Sequence, residues 1–509
     1  MASFYIPLSG LDADSTALDT IANNLSNMNT TAFKAQTTNF SDLFYQQEGT
    51  AGSGDEIQVG TGVQVASNST DFTGGSISST GVDTDAAIDG TGFFVLDNGN
   101  GSQLYTRDGN FQTSANGTLE TSSGQAVMGY AASNGTINTG GGLSDIVIPI
   151  GQAMQPSATT SFSMTQNLDS SAPAGSTATG TVKVYDSLGQ SYEATVAYTS
   201  LGNNQWSYAI TLPDTLSGVA SGSNTTNYTF GSSGGTLATV DPSTNLTITG
   251  PTSSGSTATT RAPAVTQGET VAQYVTALNT ALTNAGITGV TVTSTAAGVL
   301  SITGANVSTT GNIVQDPLSS ANAAGTLTFN SSGNLVSPAT NVSNITFSGL
   351  SDNAATMNMT WDLLGSNGTG TVSQTDASSA QSAEDANGYA SGTYESFTID
   401  SNGVISATYS NGQTQDVGQL GIASVANEQG LADVGSTEYQ TTAASGLASV
   451  GVAGSGGLGT IDGSSLEASN VNISSEFSNL IVAQRAFEAN AKSVTTFDTI
   501  TQETINMIH

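Results

Sequence analysis

Apolar residues at both ends of this chain recur every seven positions. Near the N-terminus Leu11, Leu18 and Leu25 form one row, and Ile21 and Met28 begin a second. Near the C-terminus Ile473, Leu480, Phe487, Val494 and Ile508 keep the same period, joined by Phe477, Ala491 and Ile505. Sustained spacing of this kind predicts helices that pack along a seam as a coiled coil. Two such helices at the ends of one chain pair with each other, with neighbouring copies, or with both. Taken alone, the rows leave these alternatives open. They make the named side chains a candidate assembly seam and point away from catalysis.

The N-terminal pattern is helical from about Pro7 to Asn29, with Ser9 as a cap and Asp12 and Asp14 in the first turns. Asn23, Asn24, Asn27 and Asn29 are poor helix formers. A helix of about 20 such residues is marginal alone and depends on a packing partner. At the other end Asn472 or Ser474 caps the helix, with Glu476 near its positive end. That helix, about 35 residues, spans roughly 50 Å.

Between the ends the pattern turns to β-structure. A length of 509 residues accommodates several domains, each with its own core. Gly92-Phe93-Phe94-Val95-Leu96 and Gln103-Leu104-Tyr105-Thr106-Arg107 flank Asn98-Gly99, a strong hairpin signal. Further strands are expected at Thr181–Tyr185, Ala194–Tyr198 and Gln205–Ile210, then at 393–400 and 404–409 around Asn402-Gly403. Residues 215–325 are the least patterned. They contain one amphipathic helix, Glu269–Ala285, with Val271, Tyr274, Val275, Leu278 and Leu282 on one face. The fold class is multidomain and mainly β, with terminal α-helices packing as a coiled coil.

Composition removes several function classes. The six basic residues, Lys34, Arg107, Lys183, Arg261, Arg485 and Lys492, face 39 acidic ones, leaving a formal charge of −33. Nucleic acid binding needs a cationic footprint, and this chain has none. Anionic membrane surfaces repel it for the same reason. There is no cysteine, which excludes disulfides and thiolate metal sites. No apolar run is long enough to span a membrane, and the N-terminus lacks the pattern of a cleavable signal peptide. Arg107 is expected in an ion pair with a nearby Asp rather than on a carboxylate ligand. Asp83 and Asp85 lack the other ligands of a calcium loop, His509 is terminal, and Gly90-x-Gly92 lacks the helix of a dinucleotide site. A carbohydrate-active enzyme with two catalytic carboxylates finds no carboxylate cluster that stands apart, and only Trp206 and Trp361 as tryptophan platforms.

Leu8-Ser9-Gly10-Leu11, Asn23-Asn24-Leu25-Ser26-Asn27 and Thr30-Thr31-Ala32-Phe33-Lys34 resemble the opening of the bacterial flagellar rod and hook axial protein family. Ala87-Ile88-Asp89-Gly90-Thr91-Gly92-Phe93-Phe94 and Tyr105-Thr106-Arg107-Asp108-Gly109-Asn110-Phe111 resemble its shared body domain. Leu466-Glu467-Ala468-Ser469-Asn470-Val471 and Ala483-Gln484-Arg485-Ala486-Phe487-Glu488-Ala489-Asn490 resemble its C-terminal signature. Three middle blocks are similar to the hook members rather than the rods. They are Val184-Tyr185-Asp186-Ser187-Leu188-Gly189 with Trp206, Gly325–Phe329 with Ser331-Ser332-Gly333, and Tyr409-Ser410-Asn411-Gly412 leading to Gly421-Ile422-Ala423. Departures are Ala32 where the family usually has Gly, Asn472 for a common Asp, and Phe487 for a common Tyr.

The resemblance implies a non-enzymatic subunit of the flagellar hook. Such a subunit assembles into a flexible helical tube that transmits motor torque to the filament, a universal joint. It also implies an inner coiled-coil domain from residues 1–30 and 466–509; between these ends and the body, 31–70 reads as extended and the Gly- and Ser-rich sequence at 441–465 as a linker. An inner β body is expected at 71–145 and 365–440, and an outer β domain at 146–364 with an inserted subdomain at about 215–325. Implied partners are further copies of the chain, the distal rod, hook cap and hook-filament junction proteins, and the flagellar export machinery that delivers the chain uncleaved to the cell exterior. No cofactor or metal is expected. The alternatives are a β-rich extracellular adhesin, which explains neither set of terminal motifs, and a distal rod subunit.

Overall fold

Helices occupy the two ends of the chain in the computed structural model. They are α1 (Tyr5–Ser26), α2 (Val271–Asn284) in the middle and α3 (Ile473–Met507); strands carry most of the rest. The structure describes residues 4–50, 56–216, 219–220, 225–229, 239–240, 246–263, 270–294, 299–311, 313–316, 318–365 and 368–507. The chain divides into two units, one of Met1–Gln152 with Thr393–His509 and one of Ala153–Gly392.

In the first unit the strand Phe93–Asp97 lies inside an antiparallel sheet. It pairs with Gln103–Thr106, Ala126–Ser133 and Thr414–Ser424. Phe94 and Leu96 enter one core with Ile88, Leu119, Ile405 and Ile422, while Phe93 and Val95 enter another with Tyr105, Ala423 and Tyr439. Burial on both faces explains why this strand reads as an unbroken apolar run rather than an alternating one. Gly99 and Gly403 sit at positive φ, 73° and 79°, where a side chain is strained. Asp97 and Asp400 accept backbone N–H bonds that close these two turns.

The Gly- and Ser-rich stretch expected as a linker is instead woven into this unit. Ser449–Val452 pairs with Thr414–Ser424, Thr460–Gly463 with Ala86–Asp89, and Ser465–Glu467 with Ile77–Ser79. Small residues here serve close strand approach. A Cβ on Gly459 would meet Asp89 O at 2.4 Å, and one on Gly463 would meet Ile399 O at 2.4 Å.

The second unit contains two cores. In the first, Thr177–Tyr185, Ser191–Gly202 and Gln205–Thr211 form an antiparallel meander extended by Ala324–Phe329. Alternate residues of these strands are buried, as the period of two requires. A second sheet built on Ser161–Asp169 contributes Phe162, Met164, Leu168 and Trp361 to the same core, which also holds Trp206. Val372–Thr375 and Ala380–Ala386 pair with Ser161–Asp169, so the return to the first unit falls at Thr393 rather than near 365. The second core gathers Tyr228, Leu246, Ile248, Leu300 and Ile302 against Val271, Tyr274, Leu278 and Leu282 of α2. A capping box starts that helix: Thr270 Oγ accepts from Gln273 N–H, and the Gln273 side chain accepts from Thr270 N–H.

Candidate assembly surface

Two connectors leave the β body of the first unit toward the terminal helices, and they are fastened to each other. Ala32 N–H donates to Glu467 O at 2.8 Å, and Ala35 N–H to Asn470 Oδ1 at 2.8 Å. Asn470 Nδ2 donates to Asp71 O at 2.8 Å and to Thr73 O at 3.1 Å. At the centre is a buried charge cluster. Lys34 Nζ lies 2.5 Å from Glu467 Oε1 and Arg107 Nη1 3.5 Å from Glu467 Oε2. Gly75 N–H also donates to Glu467 Oε1, at 2.7 Å. Lys34 Nζ further donates to Thr73 O, and Arg107 Nη2 to Gly90 O. Burial pulls the Lys34 ammonium below its ordinary value, opposed by the hydrogen bond and charge of Glu467. The partner expected for Arg107, a nearby Asp, is therefore corrected to Glu467. Lys34, Arg107 and Glu467 come one each from the opening, body and closing blocks.

Above this clamp α1 and α3 run antiparallel. Asn490 Nδ2 donates to Asp14 Oδ2 at 2.9 Å, and an added Cβ on Gly10 would stand 2.6 Å from Asn490 Nδ2. Farther along, Ala17 and Ile21 line a cleft of about 380 Å³ with Val482, Ala483, Ala486 and Phe40. Beside α3, α1 also rests on a hairpin of Gln36–Asp42 and Val63–Thr70. Asn24 holds the first of these strands in both directions, donating to Gln36 O at 2.7 Å and accepting from Gln36 N–H at 2.9 Å. Thr38 Oγ1 donates to Thr20 Oγ1.

Side chains buried on α1 are Pro7, Gly10, Ala13, Ala17, Thr20, Ile21 and Asn24, mostly small or polar. Of the candidate seam, Ile21 is buried, while Leu11, Leu18, Leu25, Leu480, Ala491 and Val494 are half-buried. Met28 lies beyond the end of α1 and is exposed, as are Ile473, Phe477, Phe487 and Ile505; Ile508 lies outside the described residues. The intrachain contact missed in the sequence uses Gly10, Ala17 and Asn24, themselves seven apart and one position before each leucine. Small residues at sevenfold spacing were the available signal. Ser9 does not cap α1, which starts at Tyr5. Its Oγ donates to Ile6 O at 2.8 Å and accepts from Val63 N–H at 3.2 Å. Asn472 does cap α3, accepting from Ser475 N–H at 3.1 Å.

The 35 residues of α3 extend about 52 Å against about 33 Å for the 22 residues of α1. With Gly10 opposite Asn490, residues 498–507 project past the start of α1, and all are exposed. None of α3 is fully buried. Phe477 is 53% exposed, Ile481 51%, Val482 67% and Ile500 54%. Leu8 and Phe40 add apolar surface on α1 and its hairpin. Large apolar side chains left exposed in this number along one helix and its surroundings offer surface for a partner. No group of three or more His, Cys, Asp or Glu side chains among the described residues could hold a metal ion. Asp85, one of the two carboxylates weighed for calcium, is buried and accepts from Thr80 Oγ1 at 2.6 Å.

Four family profiles match the chain in order. They are flagella basal body rod protein at residues 4–34, flagellar hook protein FlgE/F/G D1 domain at 87–167, flagellar basal body protein FlaE D2 domain at 154–304, and flagellar basal body rod FlgEFG protein C-terminal at 463–507. The flagellar hook protein FlgE of Salmonella typhimurium (strain LT2) is 31% identical over 520 residues, covering 99% of this chain and 100% of that protein. The flagellar hook protein FlgE of Treponema pallidum (strain Nichols) is 30% identical over 544 residues, covering 100% and 99%. A crystal structure of Helicobacter pylori flagellar hook protein FlgE2 is matched over 75% of this chain and 98% of that one, at 15% identity and a TM-score of 0.36. The chain belongs to the flagellar hook protein FlgE family.

Proposed function

We propose that this chain is a structural subunit of the bacterial flagellar hook, polymerising with copies of itself into a flexible helical tube that passes motor torque to the filament. The observation that carries the reading is α3: 35 residues with no fully buried side chain, and with Phe477, Ile481, Val482 and Ile500 left to solvent. Burying such side chains stabilises by roughly 1.5–3 kcal/mol each, and neighbouring copies supply the cover. The cleft beside Ile21 and Val482 is a second place where the intrachain pair is incompletely filled. The expected seam residues, Leu11, Leu18, Leu25, Leu480 and Phe487 among them, act mainly between copies in this reading. The clamp at Glu467 couples the helices to the β body, so force on one reaches the other.

The tube joins the distal rod to the hook-filament junction, grows beneath a hook cap, and stands outside the cell after passage through the flagellar export machinery. Its chemistry is contact rather than catalysis. The test is electron microscopy of concentrated, purified full-length chain. Hollow helical tubes are expected from the wild type, and dispersed monomers from Leu25→Asp and Phe487→Asp. Tubes formed equally well by both variants would overturn the role of these rows. Wild-type protein that stays monomeric under all polymerising conditions would favour the adhesin instead.

A further inference from the structure

The outward faces of α1 and α3 carry a charge pattern that the single chain does not satisfy. Every charged residue of α1 is acidic: Asp12, Asp14 and Asp19. Asp14 turns inward to Asn490, whereas Asp12 and Asp19 are exposed. Their seven-residue separation puts them on one side of the helix, about 10.5 Å apart. The only cations on any of the three helices are Arg485 and Lys492 of α3. They too are seven apart and exposed, and among the described residues neither lies in an ion pair.

Position explains why the two pairs do not meet within the chain. Gly10 and Ala17 belong to the buried face of α1, and Asp12 and Asp19 follow each by two residues. Ala483 and Asn490 face α1 from α3, and Arg485 and Lys492 follow each by two. Two residues turn a helix by about 200°, so both charged pairs point away from the α1–α3 contact. Equal spacing lets the acidic pair meet the basic pair with the helices in either relative direction. Leu8 stands beside Asp12 and Ile481 beside Arg485, both exposed. Exposed Glu488 sits between the two cations along α3 and weakens their field without removing it.

Resting on the hook reading, we propose that the outward face of α1 in one copy docks on the outward face of α3 in a second copy, with Asp12 and Asp19 against Arg485 and Lys492. Subunits of charge −33 repel one another on average, so a local match of opposite charges favours one orientation as well as adding attraction. Repetition from copy to copy generates an open, head-to-tail array.

The test uses full-length chains with reversed charges. Asp12→Lys with Asp19→Lys makes one variant, and Arg485→Glu with Lys492→Glu the other. Each alone is expected to need about tenfold more protein to form tubes at low salt, a penalty that fades near 1 M salt, where the screening length falls to about 3 Å. Mixed in equal amounts, the two variants present complementary faces and regain assembly. An intrachain role could not be rescued by mixing, because each chain keeps its own mismatch. A mixture no better than its components overturns the proposal, as does wild-type-like assembly by either variant alone. Failure of the unmodified chain to form tubes would strike the hook reading itself, and the unmodified control separates that outcome.

Discussion

Replacing Glu467 by glutamine keeps an oxygen for the Gly75 N–H but removes the anion paired with Lys34 and Arg107. Two cations would then remain buried in the first unit. Loss of one partner from a buried ion cluster typically costs about 3–5 kcal/mol, so Glu467→Gln should lower the unfolding temperature of this unit and speed amide exchange at Ala32, whose N–H donates to Glu467 O. Exchange unchanged from wild type would show the cluster to be dispensable. None of this pairing was legible in the sequence. Glu467 is 360 residues from Arg107 and 433 from Lys34, and no local spacing reveals such a contact. The departure at Ala32, where the family usually has Gly, was legible: its φ of 55° is the left-handed conformation that a glycine adopts freely. In the second unit Asp352 makes a different prediction. Burial first, then its hydrogen bond and charge contact with Asp186 and the charge of Asp214, push its carboxyl up to about 6 from 3.8. A raised acid contributes stability that is complete below the unfolded value and lost as pH rises through the folded one. Urea midpoints read by tryptophan fluorescence should therefore fall between pH 5 and 7.5. Trp206 and Trp361 both sit in the first core of that unit, so the signal is local. Asp352→Asn should flatten the dependence, and an unchanged slope in that variant would exclude Asp352 as its source.

Among the elements, α3 shows how far periodicity reads and where it stops. Its extent and its Asn472 cap follow from spacing and local hydrogen bonding, both written in a short window of sequence. Which residues face α1 does not follow, because large apolar rows mark a helix that packs without saying on what. Inside the chain the contact went to Gly10, Ala13 and Ala17, which allow close approach, and the leucine rows were left at its edges. The Gly- and Ser-rich stretch before α3 misled for a related reason. Small residues suit both a loose linker and strands pressed backbone to backbone, and only the partner strands decide. A helix that packs chiefly on α1 and buries no side chain fully has little tertiary support. Residues 473–507 are therefore expected to exchange their amide hydrogens quickly in dilute monomer and to gain protection in tubes. Strong protection in dilute monomer would mean that α1 alone suffices to hold α3.

At the scale of the whole molecule, the second unit accepts an addition that the rest of the fold does not require. The weakly patterned region expected at about 215–325 holds a core of its own, built on α2, and its true joints could be drawn only from strand pairing. Asp214–Leu216 and Ile313–Asp316 pair antiparallel, Leu216 opposite Ile313. Paired Cα atoms lie about 5 Å apart, so residues 217–312 can be removed and the ends closed by an Asn-Gly hairpin turn. Nearly all of the second core leaves together, with only Ile313 left behind, while Trp206, Trp361 and the sheets around them stay. The shortened chain should retain a cooperative tryptophan transition in urea, with a midpoint no lower than wild type. It should also still form tubes, because the helix faces and the Glu467 clamp lie in the first unit. A lost transition would show that the two cores fold as one body. An intact transition without tubes would instead place part of the contact between copies in the excised segment, beyond the reach of the terminal helices.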